Sequence, residues 1–189
     1  ASWARVYDGT AVNGCMDLAI QTDRAIAFVI ASCGTFAQGS VRRAIDTAGT
    51  QTWTQTLAVA GQGRTSLAIA PSNQNIIYAM AASTQAGSYS NGLLGVWRSA
   101  DSGRTWTQRV SNASPVKLNT LLLSNPVIAA LTECGFGTSS FLNQGWYDNA
   151  IAVDPANPDI VWGGGIDLFR SDDGGANWGQ ASHGWFTRG

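Results

Sequence analysis

The sequence predicts an all-β protein assembled from repeated antiparallel sheets. Three observations carry that expectation: one hairpin pattern occurs three times, one turn motif follows the hairpins, and one column of tryptophans recurs. The hairpins come first. Leu18-Ala19-Ile20-Gln21-Thr22 leads to Phe28, Leu67-Ala68-Ile69-Ala70-Pro71 leads to Tyr78, and Ile151-Ala152-Val153-Asp154-Pro155 leads to Trp162. The interval from the first apolar residue to the aromatic is 10, 11 and 11 residues. Each copy reads as an apolar strand, a polar turn and a second apolar strand, with turn formers at Asn73-Gln74-Asn75 and Ala156-Asn157-Pro158-Asp159. Repeats at such periods mark stacked architectures.

The turn motif follows. Arg98-Ser99-Ala100-Asp101-Ser102-Gly103-Arg104-Thr105-Trp106 and Arg170-Ser171-Asp172-Asp173-Gly174-Gly175-Ala176-Asn177-Trp178 both read Arg-Ser-x-Asp-x-Gly-x-x-Trp. A degenerate copy runs from Arg43 through Asp46 and Gly49 to Trp53, two residues longer and without the Ser. In such a turn the carboxylate accepts hydrogen bonds from the loop's own N–H groups. The glycine takes positive φ at little cost, and the tryptophan buries a large face at the start of the next strand. A calcium loop at Asp172 and Asp173 is the competing reading; EF-hand spacing and a distal Glu are both missing.

The motif Ser-x-Asp-x-Gly-x-x-Trp resembles the Asp-box, or bacterial neuraminidase repeat, of β-propellers such as sialidases, Vps10-type sorting receptors and xyloglucan-active glycosidases. The resemblance covers most of the chain. It implies a partial β-propeller of about three four-stranded antiparallel blades with Asp-box turns, in which the boxes are structural and lie away from any active site. Sialidase catalysis uses an arginine triad, a Tyr–Glu pair and an acidic Asp. None of these motifs matches here, so none is carried over. The chain is more similar to large secreted glycosyl-hydrolase-like propellers, and a fold likeness of that kind does not establish chemistry.

The tryptophan column sets the register. Trp3, Trp53, Trp106 and Trp178 are separated by 50, 53 and 72 residues. The segment 1–189 therefore divides into a last strand of a preceding blade (1–10) and blades over 11–60, 61–112 and 113–189, the last with a long insertion at about 113–147. Propellers close with four to eight blades. Three blades and an orphan strand leave the ring to be completed by remaining blades or by a second chain. The chain opens on Ala1, not Met, which reads as a processed or trimmed form.

Composition bounds the function. Net charge is −1 and only 12% of residues are charged, against a usual share of about 25%. No basic footprint for nucleic acid is present, and no apolar run reaches the roughly 18 residues of a membrane span. A neutral surface rich in glycine, hydroxyls and amides, with eight tryptophans, fits a secreted protein. A hairpin turning about residue 24 sets Cys15 opposite Cys33, so a cross-strand disulfide is expected and Cys134 is left over. The three cysteines lack close-pair spacing for zinc. No metal or cofactor is expected.

The candidate site residues come from position. In propellers the chemistry gathers at the entrances to the innermost strands, where Asp17 and Asp148 are candidate catalytic acids and Arg64 occupies the equivalent place in the middle blade. Trp146 and Tyr147 are candidate sugar-stacking residues. A Ser-His-Asp arrangement would have to use His183, the sole histidine, and no nucleophile elbow accompanies it. Gly163-Gly164-Gly165 follows a strand but lacks the Lys and helix of a phosphate loop. Two functions remain open. One is a glycoside hydrolase-like propeller with paired carboxylates. The other is a non-catalytic scaffold binding glycan or protein, in which the same acids bond to backbone.

Overall fold

The computed structural model describes residues 14–34, 38–46, 51–137 and 141–182. Trp3 with the strand expected over 1–10, Gly49 and His183 lie outside them. Three four-stranded antiparallel sheets follow one another, each a simple meander in chain order. The first blade holds β1 (Cys15–Ile20), β2 (Phe28–Cys33), β3 (Ser40–Ile45) and β4 (Thr54–Leu57). The second holds β5 (Gln62–Ile69), β6 (Ile77–Ser83), β7 (Leu93–Ser99) and β8 (Thr107–Ser111), and the third β9 (Ala150–Val153), β10 (Val161–Gly164), β11 (Leu168–Ser171) and β12 (Gly179–Gln180). The first strands β1, β5 and β9 pack side by side. The architecture is a partial β-propeller.

Alternation along the strands supplies two faces per sheet, and each face meets a different neighbour. Leu67 and Ile69 of β5 pack with Phe28, Ile30 and Trp97 in the core between the first two blades. Tyr78 and Met80 of β6 pack with Val161, Phe169 and Trp178, and with Ile151 and Val153 of β9, in the core between the second and third. At both junctions the later blade thus offers aliphatic first-strand residues and the earlier blade a second-strand aromatic.

A disulfide joins Cys15 to Cys33, which are paired across β1 and β2. The register beyond them is offset by one: a turn about residue 24 that pairs Cys15 with Cys33 would also pair Ile20 with Phe28, but Ile20 faces Val29, and an irregularity between Cys15 and Asp17 restores the cysteine pairing. Cys134 is free and exposed.

The segment between β8 and β9 departs from the all-β pattern. A 3-10 turn spans Lys117–Leu121, and a helix, α1, spans Pro126–Glu133. Asn125 caps that helix, its Oδ1 accepting from the N–H groups of Val127 and Ile128 at 3.1 and 2.9 Å, with Pro126 in the first turn. No helix among the described residues is long and apolar enough to cross a membrane.

Candidate functional site

The meander topology puts the β3–β4 turns and the first hairpins at one end of each blade. The starts of the first strands and the last part of the insertion, 141–149, lie at the other, while Asn119 earlier in the insertion reaches the β11–β12 turn. The two ends are built from different chemistry.

At the turn end, two loops are nearly superimposable in their bonding. Ser99 Oγ donates to Asp101 Oδ1 at 2.8 Å and accepts from Gly103 N at 2.9 Å. Asp101 Oδ1 accepts from the N–H groups of Arg104 and Thr105 at 3.0 and 2.9 Å, and Oδ2 accepts from Thr105 Oγ1 at 2.7 Å. Ser171 and Asp173 repeat each bond, with Gly175, Ala176 and Asn177 as partners at 2.8–3.0 Å. Burial pushes the Asp101 carboxyl up, but the donors from Thr105, Ser99 and Arg104 outweigh it and hold the pKa at about 2. Asp173 is lowered in the same way, burial again opposing the donors from Asn177, Ser171 and Ala176. A carboxylate so held is ionised, with both oxygens accepting from donors of its own loop. In the degenerate turn Asp46 accepts from Gln51 Nε2 at 3.2 Å.

The tryptophans that close the turns take different positions. Trp178 is buried, donating Nε1–H to Gly175 O at 3.0 Å, and its backbone N–H donates to Asn119 Oδ1 of the insertion. Trp106 is only partly buried against the first blade and donates to Thr56 Oγ1 at 3.2 Å. Trp53 is half-buried.

At the strand-entrance end lies an open cleft of about 350 Å³ whose lining includes Asp17, Arg64, Ser66, Asn149 and Ile151. Asp17 sits in β1 beside a bend in the strand. Its Oδ1 accepts from Leu18 N at 2.8 Å and its Oδ2 from Leu67 N of the second blade at 2.7 Å. The carboxylate therefore ties β1 to β5. Ser66 Oγ donates to Asn149 O at 2.7 Å, and Asn149 Nδ2 donates to Arg64 O and Met80 O, so β5 is tied to β9 by the same logic.

Arg64 donates Nη1–H to the carbonyls of Trp146 and Tyr147, at 3.3 and 2.8 Å. Those two residues end the insertion. The two residues are 46% and 64% exposed, with ring centroids 5.5 Å apart and planes tilted by 46°. The insertion is further anchored on the second blade: Asn143 Nδ2 donates to Ser88 O and Ser90 O, and Gly145 N to Asn91 O. Asp148 is half-buried, its N–H donating to Gln144 O, and it is not among the residues lining the cleft. Among the described lining residues Asp17 is the one carboxylate. The structure brings Asp17, Arg64, Trp146 and Tyr147 to one end of the molecule. Asn149 and Ser66, which sequence reasoning passed over, join them. Among the described residues no group of three or more His, Cys, Asp or Glu side chains is arranged to hold a metal ion.

Likeness to known proteins extends to the fold. The chain matches no protein-family model and no curated protein sequence. It is similar to the crystal structure of a GH74 enzyme from Niastella koreensis, with a TM-score of 0.51 and 15% identity over 89% of this chain and 22% of that one. It is also similar to YCF48 from Cyanidioschyzon merolae (TM-score 0.49, 16% identity, 95% of this chain and 40% of that one). A third likeness is to YCF48 bound to a D1 peptide (TM-score 0.47, 14% identity, 89% and 41%). The chain spans between about a fifth and two fifths of these structures. At such identity the GH74 match supports the propeller architecture alone.

Proposed function

We propose that the chain is a segment of a secreted Asp-box propeller from a carbohydrate-active protein, and that this segment binds glycan without cleaving it. The Arg64 clamp is the observation that carries the reading. A cation fixes the backbone of two adjacent, exposed aromatic residues beside a polar cleft at the inner-strand entrances. Exposed Trp and Tyr rings offer rigid apolar faces for the C–H faces of sugars, and their polar edges stay hydrated. Glycoside hydrolysis ordinarily needs two carboxylates about 5–10 Å apart. Both oxygens of Asp17 are engaged by backbone amides, and Asp148 stands outside the cleft lining. On this reading Ser99, Asp101, Gly103 and Trp106, with Ser171, Asp173, Gly175 and Trp178, are Asp-box residues whose work is structural. Other blades would complete the ring, and any catalytic pair of the whole protein would come from them.

The test is titration of the intact protein with soluble neutral β-glucan oligosaccharides, with reducing-end release followed in parallel. Trp146→Ala is expected to weaken binding by about tenfold, the loss of roughly 1.4 kcal/mol of stacking. Asp148→Asn should leave binding unchanged. Reducing ends that appear with the wild type and vanish in Asp17→Asn or Asp148→Asn would refute a binding-only role for this segment.

A further inference from the structure

One side-chain pair recurs in every blade, and in two of them the described residues cover it. The guanidinium of Arg43 lies over the Phe28 ring at 4.9 Å, that of Arg98 over Tyr78 at 5.9 Å and that of Arg170 over Trp162 at 5.4 Å. Phe28 and Tyr78 are 2% and 0% exposed because the following blade lies on them. Their arginines reach across to that blade. Arg43 Nε donates to Ser102 O at 2.8 Å, and Arg98 Nη2 donates to Asp159 Oδ1 at 3.1 Å. Tyr78 adds a bond from its hydroxyl to Pro158 O. Each blade-to-blade junction thus combines two first-strand aliphatics against an aromatic with an oxygen of the incoming blade's turns against an arginine.

The third pair has the same geometry and no such neighbour among the described residues. Trp162 is 36% exposed, and Leu168 and Ala152 on the same face are exposed with it. Arg170 turns back on its own loop, with Nε and Nη2 at 2.8 and 2.7 Å from Asp172 Oδ1. Beside it opens a cleft of about 590 Å³ whose lining includes Arg170, Asp172, Asn177 and Gln180.

We propose that this face receives a further propeller blade carried by the intact polypeptide. That blade presents two aliphatic side chains at alternate positions of its first strand to Trp162, and an oxygen acceptor at a turn to Arg170. Continuity with the two junctions already formed identifies the occupant. The aromatic and the arginine are the half of the junction that each blade supplies to its successor. The charge agrees, since Arg170 exchanges an exposed intra-loop ion pair, of small net value, for an acceptor in a buried junction. The proposal rests on the propeller fold and not on glycan binding, so either can fail alone.

Hydroxyl-radical footprinting of the intact protein, read by mass spectrometry over a wide range of protein concentration, tests it without any variant. Trp97 and Trp146 serve as buried and exposed references, at 4% and 46% exposure, a span of about tenfold. Trp162 is expected to oxidise as slowly as Trp97, about tenfold below Trp146, at every concentration. Oxidation of Trp162 at the rate of Trp146 overturns the proposal. Protection that appears only at high concentration, with a doubling of mass, assigns the face to a second copy and overturns the proposed occupant.

Discussion

The second and third blades carry closely related sequences and end in very different surroundings. Their turns make the same bonds at nearly the same distances. Their second strands place an aromatic at the same point, yet Tyr78 is wholly buried and Trp162 is not. Local sequence therefore sets the turn and the strand, while burial is set by which blade lies alongside. The strand β6 is buried along its length because it has a neighbour on both faces; β10 is buried at Val161, Gly163 and Gly164 and open at Trp162, whose face meets no blade among the described residues.

The contrast can be broken most forcefully at the aromatics. Tyr78→Ala is expected to cost about 3–5 kcal/mol of unfolding free energy, by loss of a packed ring and of its bond to Pro158. Trp162→Ala in the 189-residue segment, with no further blade on that face, should cost about 1 kcal/mol or less, as a partly exposed site. Denaturant midpoints compare them; equal costs in the segment would contradict the assignment of faces, whereas in the intact polypeptide the cost at Trp162 should rise toward that at Tyr78.

Next in size is the covalent tie of the first blade, which the second blade lacks. Reducing Cys15–Cys33, separated by 18 residues, should lower stability by about 3 kcal/mol. Thermal unfolding with and without reductant reads the effect, and Cys15→Ser should remove it.

The turns themselves give a smaller difference. Gly103 and Gly175 hold equivalent places with φ of 77° and 81°. A Cβ at Gly103 would overlap Ile30 Cδ1, whereas at Gly175 the nearest atom is Tyr78 Cε1 at 3.6 Å. Both alanine variants carry the left-handed strain, and Gly103→Ala should cost roughly 1–3 kcal/mol more. Equal costs in urea titration would show that Ile30 yields freely.

The smallest effect is acidic. Asp101 has a folded pKa of about 2 against an ordinary 3.8, so the unfolded chain takes up the proton first. The stabilisation is present above about pH 4 and is lost as pH falls toward 2. Asp101→Asn should flatten that part of the stability–pH curve, while Asp173 leaves a residual slope of the same sign. An unchanged acid limb would contradict the bonding described for the loop.

Much of the fold was legible because repetition gives three chances to see one pattern. The hairpins, the Ser-x-Asp-x-Gly turns and the cysteine pairing all rest on local spacing, which strands and tight turns obey. The one-residue offset of Ile20 was not legible, since a strand irregularity leaves no mark in an apolar run. Helix α1 was missed although Asn125-Pro126 is a good start signal; eight residues after an apolar stretch give too little periodicity to outweigh an all-β context. At the candidate site, strand-entrance positions located Asp17, Arg64, Trp146 and Tyr147 at one end. Partners were beyond reach: that Arg64 grips carbonyls 82 and 83 residues away, or that Asp17 accepts from Leu67, depends on how blades stack.

On the proposed function the turn end of the blades is structural and the strand-entrance end meets ligand. Footprinting of the intact protein with and without a bound β-glucan oligosaccharide tests it most directly. Ligand is expected to protect Trp146 and Tyr147 and to leave Trp106 and Trp178 unchanged. Protection at Trp106 or Trp178, with Trp146 and Tyr147 unaffected, would place recognition at the opposite end and contradict it.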